Sequence, residues 1–124
     1  MTTTRTRRAL VVDDVPSNRK LALVFLAKLG WDAVEVDGGK AALEWLAINP
    51  DVDLILLDIS MPGLSGEETC TRLRATATGQ AATIIAYTAH AFPEDRARLL
   101  GGGFDEVLVK PINRQQLETM VAEL

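Results

Sequence analysis

Four short runs of apolar residues, each too brief for a helix, most constrain what this chain can become. They are Ala9-Leu10-Val11-Val12, Leu54-Ile55-Leu56-Leu57, Ile84-Ile85-Ala86-Tyr87 and Val107-Leu108-Val109. None alternates with polar residues, so none reads as a strand with one wet face. Unbroken apolar strands are buried on both sides, the signature of a parallel sheet with helices above and below it. A weaker fifth run, Ala33 to Val36, closes on Asp37-Gly38-Gly39. The segments between the runs carry helix signals, and strands alternating with helices imply right-handed crossovers.

The boundaries follow from local chemistry. The first strand is expected over Ala9 to Asp13. Pro16 opens the first helix, at a position where its missing N–H costs nothing, and Gly30 stops that helix after about Leu29. The second helix is expected from Lys40 to Ile48, with Asn49-Pro50 ending it. The third strand runs from Asp53 to Asp58, and Met61-Pro62-Gly63-Leu64 forms a loop. Ser65 caps the third helix, with Glu68 placed for a capping box. Gly79 falls in the loop that follows, before a strand from Thr83 to Tyr87. Pro93-Glu94-Asp95 opens a fourth helix, Gly101-Gly102-Gly103 ends it, and Phe104 to Val109 is the fifth strand. Asn113 and Gln116 begin the last helix. The expectation is an α/β domain over residues 9–124 with five strands and five helices. Residues 1–8 are expected to be a flexible tail.

With 124 residues the chain can bury one real core. A net charge of −4 argues against wholesale nucleic-acid binding, although Thr2 to Arg8 is locally basic. No apolar stretch reaches the roughly 18 residues of a membrane span, and no signal-peptide pattern is present. The single cysteine, Cys70, excludes an internal disulfide and fits a reducing cytoplasm; on the third helix it reads as a packing residue. Trp31 and Trp45 read as core or half-buried fillers.

In an open parallel sheet, ligands bind beyond the carboxyl ends of the strands. Here those ends carry Asp13-Asp14, Asp58, Thr88 and Lys110. Three carboxylates gathered at one edge repel one another unless a cation joins them. An all-oxygen donor set suits Mg²⁺, which takes one or two carboxylates, several waters and a phosphate oxygen. A carboxylate is also a competent nucleophile toward phosphorus. Phosphoryl transfer needs positioning and charge neutralisation more than covalent help. Lys110 can supply a point charge and the Thr88 hydroxyl a hydrogen bond. Each feature alone is weak, since acidic pairs, post-strand threonines and Lys-Pro pairs are common. The ordered set is much stronger.

That set carries a resemblance. Asp13-Asp14, Leu57-Asp58 with Met61-Pro62-Gly63 and Gly66, Thr88-Ala89 and Lys110-Pro111-Ile112 resemble, in order and spacing, the receiver domains of two-component response regulators. The likeness extends over essentially the whole chain. It implies a doubly wound sheet of order 2-1-3-4-5, the flavodoxin-like arrangement that chemotaxis receivers share. It implies that Asp58 is the phosphoacceptor and that Asp14 and Asp58 hold Mg²⁺ directly. Asp13 would act mostly through water, and the Ser60 carbonyl would complete the set. Thr88 and Lys110 would hold the phosphoryl oxygens, and the Lys110–Pro111 bond would be cis. Expected partners are a histidine kinase or a histidine phosphotransfer protein, with the chain a monomer or weak dimer. Tyr87-Thr88-Ala89-His90-Ala91 and Asn18-Arg19 are similar to receivers of hybrid histidine kinases. Met1 and the end of the chain favour a stand-alone unit, with an excised kinase receiver as the alternative.

Three finer expectations follow. The first helix is apolar all round, and period reasoning turns Leu21, Phe25 and Leu29 toward the sheet. Leu23, Leu26 and Ala27 would then be at least partly exposed. Leu23 and Leu26, with Val15, Pro16 and Arg19, would form a docking patch for the phosphoryl donor. Ala89 and His90 would line the rim of the site, with His90 and Ser60 tuning water access; a phosphocarrier role for His90 is the weaker reading. Many receivers place a switch aromatic three residues before the lysine, where this chain has Val107. Two rivals are disfavoured. An aspartate-nucleophile phosphatase needs an acid where Ser60 stands, and a flavin carrier would be repelled by Asp13-Asp14.

Overall fold

The apolar runs assemble as one five-stranded parallel sheet in the order β2-β1-β3-β4-β5. The computed structural model describes residues 7–89 and 91–122. The strands are β1 (Arg8–Val12), β2 (Asp32–Val36), β3 (Leu54–Asp58), β4 (Thr83–Thr88) and β5 (Glu106–Val109). The helices are α1 (Pro16–Lys28), α2 (Gly39–Ile48), α3 (Gly66–Arg74), α4 (Ala77–Ala81), α5 (Pro93–Gly101) and α6 (Arg114–Val121). Arg8, assigned to the tail by the sequence reading, is the first residue of β1, and its guanidinium lies over the Trp45 ring.

Successive strand residues point to opposite faces, so each strand feeds two cores. Leu10, Val12, Ile55, Leu57, Ile84, Ala86 and Val107 pack with residues of α2, α3 and α5. Ala9, Val11, Leu54, Leu56, Ile85, Tyr87 and Leu108 pack with residues of α1 and α6. All five residues of β3 are buried, as a central strand requires. Trp31 is buried and Trp45 half-buried, as fillers would be.

Three local expectations change. First, α4 lies where a loop was expected. Gly79 argues against a helix by propensity, yet Thr76 caps it by accepting from the Gly79 N–H at 3.0 Å. The Arg74 guanidinium then takes up the Gly79 and Ala82 carbonyls beyond it. A Cβ at residue 79 would collide with the Leu73 carbonyl, so only glycine fits at this point of the helix.

Second, α1 turns a different face to the sheet. Ala22 and Leu26 are fully buried, while Leu21 is 37% and Val24 49% exposed. Phe25 and Leu29 are partly buried. The sheet-facing stripe is therefore centred on Ala22 and Leu26, with Phe25 and Leu29 packed beside it as expected and Leu21 turned outward. Third, Ser65 caps α3 through the Glu68 N–H at 3.2 Å, but the Glu68 carboxylate receives the Ser65 hydroxyl.

The approach of α3 to the sheet is unusually close. Gly66 donates to the Ile59 carbonyl at 3.1 Å, and Ile59 donates to the Tyr87 carbonyl at 3.1 Å. A Cβ on Gly66 would run into the Asp58 carbonyl oxygen and the Ile59 Cα. Only glycine lets the helix begin there.

Candidate functional site

Strand register brings the polar residues to one edge. Val12 lies opposite Leu57, Asp58 opposite Tyr87, and Thr88 opposite Val109. Asp13 follows directly on β1 and its N–H still reaches the Val36 carbonyl at 3.3 Å. Lys110 follows β5 and donates its backbone N–H to the Thr88 carbonyl at 2.7 Å. The Lys110–Pro111 bond is cis.

The carboxylates of Asp13, Asp14 and Asp58 lie within 4.8 Å of one another. Asp13 and Asp58 are buried, at 0% and 1% exposure. Asp58 Oδ1 accepts from Lys110 Nζ at 2.9 Å and from the Ser60 N–H at 3.4 Å. Asp13 Oδ1 accepts from the Val15 N–H at 2.9 Å. Asp13 Oδ2 faces Lys110 Nζ at 3.5 Å, an ion-pair contact rather than a hydrogen bond. Asp58 Oδ2, like Asp13 Oδ2, is buried without a hydrogen-bond partner among the described residues.

Burial of the Asp58 carboxyl pushes its pKa above the usual carboxylate range. The Lys110 hydrogen bond works against that rise, and the charge of Asp13 adds to it. Burial alone would lower the Lys110 pKa, but its hydrogen bond to Asp58 and the two carboxylate charges outweigh burial and raise it. Among the described residues, one ammonium pairs with two of the three carboxylates, so negative charge is in excess. The unpartnered oxygens are hard donors at a site that needs a cation, and Asp13, Asp14 and Asp58 fit Mg²⁺ on both grounds.

The remaining expected residues are placed as follows. Thr88 and Ala89 stand at the end of β4 beside Lys110, and Ser60 is exposed just beyond Asp58. His90 lies outside the described residues. Val107 is buried at 2% exposure in the layer with Ala86, Leu99 and Phe104. In the expected docking patch, Val15 is 40% exposed and Pro16 is exposed. Leu23 is partly exposed, as expected, with its inner side packed on the core under α1. Leu26 is fully buried and cannot be a docking residue. Arg19 is also committed elsewhere, to Glu35 Oε1 at 2.7 Å and the Asp13 carbonyl at 2.8 Å. It ties α1 and β2 to the loop that carries the acids.

Sequence reasoning missed Tyr87. Its ring centroid lies 4.9 Å from Lys110 Nζ. In the sequence it stands as the last apolar residue of a strand and as part of the Tyr87-Thr88-Ala89-His90-Ala91 resemblance, neither of which points to Lys110.

The geometry agrees with the comparisons. The response regulator receiver domain model matches residues 9–122, and the chain belongs to that family. It is 37% identical over 120 residues to the sensor histidine kinase GacS of Pseudomonas protegens. It is 35% identical over 112 residues to the signal transduction histidine-protein kinase BarA of Escherichia coli K12. These matches cover 94% and 90% of this chain but only 13% and 12% of the two kinases. Among solved structures, it superposes on the receiver domain of the sensor histidine kinase PA1611 of Pseudomonas aeruginosa PAO1 with a TM-score of 0.86 and 30% identity. That comparison covers 96% of this chain and 97% of the other, whose active-site cleft holds a coordinated magnesium ion. The chemotaxis protein CheY4 of Vibrio cholerae superposes with a TM-score of 0.88 at 25% identity, over 96% and 98% of the two chains. Among the described residues, no helix is long and apolar enough to cross a membrane.

Proposed function

We propose that this domain accepts a phosphoryl group from a phosphohistidine onto Asp58 in a Mg²⁺-dependent reaction. The observation that carries the reading is the buried Asp58 carboxylate, with one oxygen on Lys110 and the other without a hydrogen-bond partner among the described residues. Asp13, Asp14 and Asp58 would hold Mg²⁺, with the Ser60 carbonyl as a further ligand. The ion would supply positive charge that offsets the excess negative charge of the carboxylates and of a phosphoryl group.

The chain's own residues do the rest. Lys110 leaves Asp58 Oδ1 for a phosphoryl oxygen, which frees that carboxylate oxygen to attack phosphorus. The new O–P bond forms as the donor's P–N bond breaks, and the departing imidazole keeps its electron pair and takes a proton from solvent. Thr88 donates its hydroxyl to a third phosphoryl oxygen. The low polarity around Asp58 strengthens each of these interactions.

The donor would be a histidine kinase or a histidine phosphotransfer protein, in the cytoplasm, meeting a monomer or weak dimer. The likeness to sensor histidine kinases favours a receiver that works beside, or within, a larger sensor kinase. Docking is assigned to Val15, Pro16, Leu21 and Val24, the accessible side of α1 and its entry. Labelling with phosphoramidate, and with a phosphorylated histidine donor, tests the chemistry. Wild type should be labelled only with Mg²⁺, and Asp58→Asn should fold and take no label. Appreciable labelling of Asp58→Asn would remove Asp58 from its role.

A further inference from the structure

Tyr87 is held by its backbone at the strand end. It pairs with Asp58 across β3 and β4, and its carbonyl accepts the Ile59 N–H at 3.1 Å. The residue is 1% exposed, and Lys110 Nζ lies over the ring at 4.9 Å from the centroid. Cation–π attraction operates within about 6 Å and strengthens when the pair is desolvated. The ammonium therefore has two kinds of partner. One is the carboxylate pair, Asp58 Oδ1 at 2.9 Å and Asp13 Oδ2 at 3.5 Å. The other is a neutral aromatic face fixed to the strand end.

We infer that Tyr87 is a positioning residue: its ring keeps the Lys110 ammonium at the site while the ammonium changes partner from Asp58 to an incoming phosphoryl oxygen. This rests on the proposed phosphoryl transfer. As Oδ1 turns nucleophile, Lys110 must give up its shortest contact. A flexible lysine stem would otherwise take its charge toward solvent, where an ammonium is strongly hydrated. The ring makes no demand on the direction of approach beyond its face, so the ammonium can shift across it. No carboxylate could serve here, because it would compete with the phosphoryl group for the same charge.

The test compares Tyr87→Leu, which removes the aromatic face, with Tyr87→Phe, which keeps it and removes the hydroxyl. In Tyr87→Leu, the maximal phosphorylation rate with phosphoramidate and the affinity for beryllofluoride should fall roughly 3- to 10-fold. The Mg²⁺-dependent melting shift should be retained. Tyr87→Phe should restore both quantities to within about twofold. Equal losses in the two variants would assign the effect to the hydroxyl and overturn the inference, as would an unaffected Tyr87→Leu. Should Tyr87→Leu not fold, the wild-type protein still decides: the Lys110 ε-methylene protons should show an upfield ring-current shift that survives beryllofluoride binding. Loss of that shift on binding would overturn the inference. Wild type that takes neither phosphoryl nor beryllofluoride would overturn the proposed function instead, and the ring-current shift of the unliganded protein would still report on the Tyr87–Lys110 contact.

Discussion

Asp58, the proposed nucleophile, is kept under electrostatic tension. Its burial and the neighbouring Asp13 charge both oppose ionisation, and only Lys110 and the Ser60 N–H work the other way. An acid whose folded pKa lies above its unfolded value binds its proton more tightly in the native state. Stability is then lost as pH rises from the unfolded value of 3.8 through the raised folded value. Asp58→Asn removes that cost. Without Mg²⁺ it should raise the melting temperature at neutral pH by several degrees, at roughly 4 °C per kcal/mol for a chain of this size. The gain should shrink as pH falls through the folded pKa and vanish below the unfolded one. Thermal melts of the two proteins at matched pH check this, and a gain that grows on acidification would contradict it. Asp14 lies at the accessible side of the same cluster. Asp14→Ala should abolish the stabilisation that Mg²⁺ gives by binding the native state, as read in a Mg²⁺ titration of the melting temperature.

At the scale of the element, α1 shows where sequence reasoning stopped. The run Leu21-Ala22-Leu23-Val24-Phe25-Leu26-Ala27 has apolar residues on every side, so its period could not select a face. The sheet selects it, because small Ala22 lets α1 settle close and brings Leu26 into the core. Arg19, read as a docking charge, is instead claimed by Glu35 and the Asp13 carbonyl. No local pattern announces such a partner sixteen residues away. The elements themselves were legible: unbroken apolar strands, Pro16, Ser65 and Pro93 each mark their boundaries because they act through local chemistry. So were the edge acids and Lys110, since strand ends converge in any parallel sheet. The short α4 was not, because its stability depends on Arg74 from the preceding helix. The corrected face yields a prediction. Val24→Glu should fold, slow transfer from a histidine-bearing protein donor about tenfold or more, and leave labelling by phosphoramidate unchanged. Leu26→Glu should fail in both, because it places a charge in the core and melts the domain. Circular dichroism and the two labelling rates separate the cases. If Val24→Glu lost both rates while remaining folded, α1 would not be the docking surface.

For the molecule as a whole, the question is how phosphorylation at the sheet edge reaches a partner. Val107 sits where many receivers carry a mobile aromatic ring. It is buried, and its β-branched side chain has a stiff χ1. Loading Asp58 is therefore expected to draw in Thr88 and reorder residues 89–92, while β5 and α6 barely respond. Amide chemical shifts with and without beryllofluoride should change most from Thr88 to Phe92 and little from Glu106 to Val109, with no dimer by sedimentation. Large changes throughout β5 and α6, with dimerisation, would show the opposite design.

The Gly66 contact gives that asymmetry a mechanical origin. On one flank of Asp58, the chain from Ile59 to α3 is bolted at both ends and packed so closely that a methyl group would not fit. On the other flank, Ala89 is exposed and Phe92 stands 62% exposed. The expected consequence is a site that acts as a cantilever clamped on the β3–α3 side, so that loading Asp58 displaces the opposite flank and the direction in which the message leaves is set before any phosphoryl group arrives.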